Sequence, residues 1–319
     1  MFAALDLGTN NCRLLIARPA AEDGFLIVDA FSRVVRLGEG LHASGRLSPP
    51  AIERTIEALH ACADKLRHRR VTLARSVATE ACRQAANGAE FIERVAAETG
   101  IQLQVIDAAE EARLAVLGCQ ALIADDAPAA IVFDIGGGST EVVLVRPGER
   151  GATVIDWTST PWGVVSLSEA EPAVSTGTTP ADRMAAYDRM RARLLAALSG
   201  FRGRIEGAPC QNAQLVGTSG TVTTLASVWL RLAVYDRRQV DGQVVPAMEL
   251  RDIGRDLAAM SIEERQQVPC IGPDRAELVV AGCAILDVIL ECWPAPVLSV
   301  ADRGIREGIL RSLLATGTA

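Results

Sequence analysis

The stretch Asp134-Ile135-Gly136-Gly137-Gly138-Ser139-Thr140-Glu141 decides the fold of this chain. Apolar, partly β-branched runs lie on either side of it, at 129–133 and 142–145, and both are predicted strands. Three glycines between two strands leave no side chains to pack, so a ligand can approach bare backbone N–H groups. A carboxylate at a strand end beside a donor-rich turn is typical of a site for a magnesium-bound phosphate. A plain hairpin with a flexible turn is the competing interpretation.

The same pattern occurs at the start of the chain. A strand at 2–5 leads into Asp6-Leu7-Gly8-Thr9-Asn10-Asn11, and a second strand follows at 12–17. Asp-x-Gly followed by a hydroxyl residue thus occurs twice, 128 residues apart (134 minus 6). This internal duplication predicts two related half-domains that face each other across a cleft, and it argues against the plain hairpin.

Two further stretches have features of an anion site. Gly217-Thr218-Ser219-Gly220-Thr221 follows a predicted strand and opens a helix, so N–H groups and the positive end of the helix dipole meet there. It lacks the lysine of a nucleotide P-loop, which argues against that class of site. Arg83 lies where the strand 71–78 meets the next helical stretch; there it either points at an anion or lies exposed on the helix.

Length and composition limit the classes of protein. A chain of 319 residues, 49% of them hydrophobic, predicts about two domains with a sizeable core. The net charge of −7 argues against general nucleic-acid binding. Eight cysteines form no Cys-x-x-Cys pair, so no zinc site is expected. No signal peptide is expected, because Asp6 interrupts the first apolar stretch, and the longest apolar run, 278–286, is about half a membrane span. We therefore expect a cytoplasmic protein that binds neither nucleic acid nor membrane.

Hydrophobic patterning and turn residues predict alternating strands and helices in both halves. The predicted strands are 2–6, 12–18, 25–36, 71–78, 102–106, 130–134, 141–146, 152–159, 213–217 and 297–300. The predicted helices are 49–67 (capped by Ser48), 107–124, 180–199, 217–232, 248–260, 274–292 and a last one from 304. The polar stretch 236–245 is interpreted as a surface loop.

Taken together, the motifs resemble the exopolyphosphatase and guanosine pentaphosphate phosphatase family, part of the actin- and hexokinase-like phosphotransferase superfamily. They span nearly the whole chain in the family's order, and the combination is highly specific. The matching stretches are Leu5-Asp6-Leu7-Gly8-Thr9-Asn10, Arg36-Leu37-Gly38-Glu39-Gly40-Leu41, Thr79-x-Ala81-x-Arg83-x-Ala85, Glu110-Glu111-Ala112-Arg113, Asp134 to Glu141, 217–221 and Arg306-Glu307-Gly308.

The resemblance implies an α/β fold with two ribonuclease-H-like, actin-like ATPase lobes, each a mixed sheet flanked by helices, with a cleft between them. The lobes would be 1–124 and 125–303, with the C-terminal helix, about 304–319, expected to pack back on the first. Asp6 and Asp134 would hold Mg²⁺ at the base of the cleft. The residues expected to bind substrate phosphates are Gly8, Thr9, Asn10, Arg83, Gly136, Gly137, Gly138, Ser139, Thr140, Gly217, Thr218, Ser219 and Gly220.

The resemblance also implies catalytic residues. The family's catalytic base maps to Glu111, and Glu141 matches another acid that the family needs, through the metal or the water. Two stretches depart from the family pattern. Thr9-Asn10-Asn11 stands where the family has Ser-Asn-Ser, and Asp107-Ala108 stands where a Ser-Gly precedes the paired glutamates.

The implied activity is hydrolysis of the terminal phosphoanhydride of inorganic polyphosphate, which releases orthophosphate. The alternative substrate is guanosine pentaphosphate (pppGpp), attacked by the same chemistry. A sugar or acetate kinase on the same fold, and a sensor that binds phosphate compounds without turnover, are less favoured interpretations. A homodimer is a further expectation from the family.

Overall fold

The computed structural model describes residues 1–21, 24–148, 151–208 and 212–317. The chain divides into two compact units, Met1–Gly118 with Ile305–Ala319, and Cys119–Gly304. Within the described ranges, no helix combines the length and the apolar character needed to cross a membrane.

The first unit contains five strands and six helices among its described residues. In chain order they are β1 (Phe2–Leu7), β2 (Asn11–Ala20), β3 (Gly24–Val34), α1 (Leu41–Ser44), α2 (Pro49–His68), β4 (Leu73–Ala78), α3 (Glu80–Gln84), α4 (Gly88–Thr99), β5 (Leu103–Val105) and α5 (Ala108–Cys119), and the last helix of the chain, Ile305–Gly317, belongs here as well. Ser48 caps α2 as predicted, since its hydroxyl accepts from the N–H of Ala51 at 3.4 Å.

The second unit begins with a 3₁₀ turn, Gln120–Leu122. Its elements are β6 (Ala130–Ile135), β7 (Thr140–Arg146), β8 (Thr153–Thr160), α6 (Val164–Ala170), α7 (Ala173–Thr176), α8 (Pro180–Arg204), β9 (Gln214–Thr218), α9 (Gly220–Trp229), α10 (Arg237–Val240), β10 (Val244–Pro246), α11 (Ala247–Ala259), α12 (Ile262–Gln266), α13 (Gly272–Ala276), α14 (Val279–Cys292) and β11 (Val297–Ala301). The helix Ile305–Gly317 is α15.

Each unit is built on one mixed sheet. The first has the strand order β3-β2-β1-β4-β5, and the second β10-β11-β9-β6-β7-β8. In each, a central strand (β1 or β6) pairs antiparallel with the next strand in sequence and parallel with the strand on its other side. The predicted fold class, α/β with two mixed sheets of the ribonuclease-H-like, actin-like kind flanked by helices, is confirmed.

The internal duplication extends to single hydrogen bonds. The turn after β1 is closed by the N–H of Gly8 donating to Asn11 at 2.9 Å, and the turn after β6 by Gly136 donating to Ser139 at 2.9 Å. The ladder between β2 and β3 shifts register after Ile16, and the ladder between β7 and β8 shifts register after Leu144. The offset of 128 (136 minus 8, 144 minus 16) is therefore kept through the strand, the turn and the bulge.

Alternation along β1 decides which face carries its aspartate. Ala3, Leu5 and Leu7 belong to the core under α2 and α4. Phe2 and Ala4 belong to a second core with residues of α5 and α15, so Asp6 shares the face that these two helices cover.

Two predicted elements are wrong. The polar stretch 236–245 is not a plain surface loop, because it forms α10 and the edge strand β10, with Val240 and Val245 fully buried. The predicted helix 274–292 is two helices, α13 and α14, with a break at 277–278.

Candidate active site

The end of β1 and the turn after it contain three buried oxygens that no described group satisfies. They are Oδ1 of Asp6, Oγ1 of Thr9 and Oδ1 of Asn10. Buried polar atoms almost always have a hydrogen-bond partner, so three neighbouring exceptions indicate a place where a ligand binds. Carboxylate, hydroxyl and amide oxygens are hard donors that suit Mg²⁺ or the water and phosphate around it, so the residues present fit the implied cation.

Asp6 lies in an unfavourable environment for a lone carboxylate. Burial raises the pKa of Asp6 above its ordinary value, the guanidinium groups of Arg13 and Arg306 act in the opposite direction, and the carboxylate of Glu307 raises it further. The residue as a whole is only partly covered, but its Oδ1 is shut off from solvent. A carboxylate held ionised in such a place favours the binding of a cation.

Replacing Asp6 by asparagine should therefore stabilise the ligand-free protein while impairing its activity. A raised pKa means that the stability conferred by Asp6 falls as the pH rises from 3.8 through that pKa, so the ionised side chain is destabilising at neutral pH. We expect about 0.5–2 kcal/mol of stabilisation in metal-free buffer at pH 7. Thermal unfolding of both proteins measures it.

Asp29 gives a control of opposite sign in the same unit. Hydrogen bonds from Lys65 and Arg69 outweigh partial burial and hold the pKa of Asp29 at about 2. Its stabilising effect is complete above 3.8 and is lost as the pH falls towards 2, so Asp29→Asn should lower the melting temperature at pH 7. If Asp6→Asn also lowers the melting temperature, the ionised side chain of Asp6 does not destabilise the protein at neutral pH, and the prediction is wrong.

Glu111 lies in the first turns of α5 and is 6% exposed. Arg83 holds it, because Nη1 of Arg83 lies 3.1 Å from Oε2 of Glu111 and donates to the carbonyl of Ile106 at 2.6 Å. Glu80 contacts the other side of the same guanidinium. Burial acts to lower the pKa of Arg83, but the two carboxylates outweigh it and the pKa is raised. The structure thus brings Arg83 to Glu111, whereas its contact with a phosphate stays a prediction.

The neighbouring acids have structural partners. Glu110 pairs with Arg75 at 2.8 Å and with Arg113 at 2.6 Å. Asp107, which departs from the family pattern, accepts from the N–H of Glu110 at 2.8 Å and so caps α5. The carboxylate of Asp107 is therefore occupied by the helix N-terminus and that of Glu110 by Arg75 of β4 and Arg113 of α5, and Glu111 is the buried acid of the stretch.

In the second unit, the two acids of the duplicated turn lie side by side. Asp134 and Glu141 are directly opposite each other in the antiparallel ladder, so their side chains project from the same face of the sheet. Glu141 is 1% exposed and accepts from the hydroxyl of Ser159 at 2.7 Å. Two adjacent carboxylates at a glycine-rich turn concentrate negative charge where a cation can offset it.

Three hydroxyls predicted to bind phosphate make hydrogen bonds within the protein. Thr140 donates to the carbonyl of Trp162 at 2.7 Å, and Thr218 donates to that of Arg303 at 2.6 Å. Ser219 caps α9 by accepting from the N–H groups of Thr221 and Val222, at 3.2 and 3.4 Å. In this structure these three hydroxyls stabilise the turns, and their role as phosphate ligands stays a prediction.

The C-terminal helix supplies residues to the site to which the sequence analysis gave no role. A Cβ on Gly308 would lie 2.1 Å from the carbonyl oxygen of Leu114, so α15 and α5 contact each other backbone to backbone. This close packing places Arg306 and the buried Glu307 where their charges act on Asp6. The only signal in the sequence was the stretch 306–308 itself, which matched the family.

Comparison with known proteins identifies the family. The model of the Ppx/GppA phosphatase family matches residues 15–316. The chain belongs to the Ppx/GppA phosphatase family.

Two relatives of this Ppx/GppA chain match it from end to end at 30% identity or more. Exopolyphosphatase 2 of Mycobacterium tuberculosis is 32% identical over 328 residues, which cover 98% of each chain. The solved structure of the Aquifex aeolicus member of the Ppx/GppA family is 30% identical, with a TM-score of 0.80 over 100% of this chain and 98% of that one. An exopolyphosphatase from Cytophaga hutchinsonii shares the fold, with a TM-score of 0.86 at 24% identity over 99% and 98% of the two chains.

Proposed function

We propose that this protein is an exopolyphosphatase that releases orthophosphate from the end of inorganic polyphosphate. The observation that carries the proposal is the full-length match to exopolyphosphatase 2, with 98% of each chain covered. The site chemistry supports it, since an acid at the end of a strand before a glycine-containing turn recurs in both sheets, and the first turn also holds unsatisfied buried oxygens. Those are the parts that a phosphoanhydride hydrolase needs.

The resident cation would be Mg²⁺, with Asp6 and Asp134 as its protein ligands and Glu141 beside Asp134. Among the described residues, no three acids, histidines or cysteines form a complete cage for a metal ion. Mg²⁺ fits such a partial set because it is commonly bound through one or two carboxylates, with water and substrate phosphates filling the remaining positions. When bound, it would supply charge neutralisation at the phosphate oxygens.

The remaining roles belong to the chain itself. The N–H groups of residues 9–10 and 137–138 would donate to phosphate oxygens, since those of Gly8 and Gly136 already close the turns. Glu111, oriented by Arg83, would take a proton from the water that attacks the terminal phosphorus. The new P–O bond forms as the anhydride bond breaks, and the shortened chain leaves with the bonding electrons. The products are orthophosphate and polyphosphate with one phosphate fewer.

A panel of phosphate compounds tests the proposed substrate. We expect Mg²⁺-dependent release of orthophosphate from long polyphosphate at a higher kcat/KM than from pppGpp, ATP or a phosphate monoester. A preference for pppGpp would instead support the second activity that the family's description names. Binding of all of them without release would contradict the proposal, and a phosphorylated product formed on adding a sugar or acetate would identify a kinase.

A further inference from the structure

The segment after the third strand contacts the phosphate turn in both units, and the repeat offset applies to this contact too. In the first unit, the N–H of Gly38 donates to the carbonyl of Thr9 at 2.9 Å. In the second unit, the N–H of Ser166 approaches the carbonyl of Gly137 at 3.4 Å. Both members of the pair are shifted by 128 residues (166 minus 38, 137 minus 9). We call residues 35–38 the first brace and 163–166 the second brace.

The second brace binds the carbonyl of every glycine in its turn. Val164 donates to Gly136 at 3.0 Å and Val165 to Gly137 at 2.8 Å, through their backbone N–H groups. The hydroxyl of Ser166 donates to the carbonyl of Gly138 at 3.2 Å. In a trans peptide the C=O of one residue and the N–H of the next point in opposite directions. The N–H groups that follow these three carbonyls, those of residues 137–139, therefore point away from the brace.

Gly163 makes this contact possible by lacking a side chain. A Cβ there would lie 2.5 Å from the carbonyl carbon and oxygen of Gly137 and 2.6 Å from the oxygen of Gly136. These are backbone atoms, so the turn itself would have to move. The backbone of Gly163, with φ −115° and ψ −173°, is one that any residue adopts. Space, and not conformational freedom, is the reason for glycine here.

Gly38 has the corresponding role in the first brace, but through a side chain. Val35 and Arg36 donate to the carbonyl of Asn10 at 2.9 and 3.0 Å, beside the bond from Gly38 to Thr9. A Cβ on Gly38 would lie 2.2 Å from Cγ2 of Thr9. Thr9 would have to rotate, and its buried hydroxyl, which no described group satisfies, would then point elsewhere.

We propose that Gly38 and Gly163 are positioning residues for catalysis, because they leave the space in which the braces hold the turn carbonyls and so aim the turn N–H groups and the Thr9 hydroxyl at substrate phosphates. This inference rests on the proposed phosphatase function. It assigns a role to Gly38 in the stretch 36–41, and to Gly163, which had none.

Replacing Gly163 by alanine tests the second brace, and the same replacement at two other glycines provides the controls. Gly163→Ala should raise KM for polyphosphate, and Kd for tripolyphosphate with Mg²⁺, by about 10–100-fold, as expected for loss of a hydrogen bond to a charged group. Gly177→Ala places a Cβ 2.6 Å from the carbonyl of Ala173, an equally crowded site that does not contact the turn. It should lower the melting temperature with KM unchanged. Gly203→Ala, on α8 with no described atom near the new methyl, should leave KM unchanged without lowering the melting temperature.

A double-mutant cycle tests the first brace. Gly38→Ala should raise KM in the native background, because the new methyl meets Cγ2 of Thr9. Thr9→Ser removes Cγ2 and keeps the hydroxyl, so adding Gly38→Ala to Thr9→Ser should leave KM within about twofold of Thr9→Ser alone.

The outcomes separate the inference from the function. If Gly163→Ala behaves like Gly177→Ala, with lower stability and an unchanged KM, the second brace has no positioning role. If Gly38→Ala is equally harmful with Thr9 and with Ser at position 9, the first has none. Should Gly163→Ala fail to fold, Ser166→Ala removes the hydroxyl that contacts the carbonyl of Gly138 and accepts from the N–H of Gly163, and it should still raise KM several-fold. A parent protein that neither binds nor hydrolyses polyphosphate with Mg²⁺ would overturn the proposed function, and the inference with it.

Discussion

Replacing Glu111 by glutamine should lower the rate of phosphate release from polyphosphate by about 10²–10⁴-fold, the usual contribution of a general base. Glutamine keeps the shape of the side chain and one oxygen for Arg83, but it cannot accept a proton at neutral pH. The expected loss is in kcat, with Kd for tripolyphosphate little changed, because Glu111 acts on the water and not on the chain. Steady-state release assays and calorimetric titration measure the two quantities.

Glu110→Gln is the matched control one residue away. Glu110 pairs with Arg75 and Arg113, and an ion pair on a partly exposed surface contributes little to stability. We expect its turnover to stay close to that of the parent, and circular dichroism should show the same helix content in both variants. If Glu111→Gln hydrolyses polyphosphate at the parent rate, Glu111 is not the base. If Glu110→Gln loses activity as well, the effect belongs to the N-terminal turn of α5 and not to one carboxylate.

The duplicated hairpins could be predicted because their signal is local. An apolar run, an aspartate, a turn that contains glycine and a hydroxyl residue, and a second apolar run lie within about twenty residues of sequence, and the pattern occurs twice. The structure keeps that offset through the bulges at Ile16 and Leu144, which the sequence does not signal. Irregularities of this kind depend on how neighbouring strands twist.

Contacts between distant parts of the chain could not be predicted. Nothing local shows that Arg83 would meet Glu111, because the two residues are 28 positions apart and the pair forms only when the fold brings α3 and α5 together. The approach of Arg306 and Glu307 to Asp6 likewise depends on the backbone contact at Gly308. Propensity and periodicity describe single elements, and these pairings are decided by tertiary packing.

Short helices also could not be predicted from the sequence. The seven-residue helix α6 has too few turns to show a helical period, and Pro161-Trp162-Gly163 before it gives only a turn signal. Yet its first residues hold the carbonyls of the glycine turn. The prediction of a surface loop at 236–245 was wrong for a related reason. Its two buried residues, Val240 and Val245, are too few to show a hydrophobic period among polar neighbours.

Chelation of divalent cations by EDTA should abolish phosphate release, and added Mg²⁺ should restore it. Polyphosphate carries dense negative charge, and Asp134 and Glu141 add two carboxylates side by side at the glycine-rich turn. Without a cation these charges repel the substrate, and the carboxylate of Asp6 remains buried beside unsatisfied oxygens. The measurement is the rate of orthophosphate release as Mg²⁺ is titrated into the chelated protein.

Asp134→Asn should lower the maximal rate by at least about 100-fold and raise the Mg²⁺ concentration needed for half of it, because stabilisation by a metal ion is worth several kcal/mol. Asp156→Asn is the matched control in the same sheet, since Asp156 pairs with Arg204 at 3.0 Å and its pKa is lowered by that hydrogen bond. It should leave the Mg²⁺ dependence as in the parent. Full activity of the parent in metal-free buffer would remove Asp6 and Asp134 from metal binding, and the acids of the duplicated turns would then need another explanation.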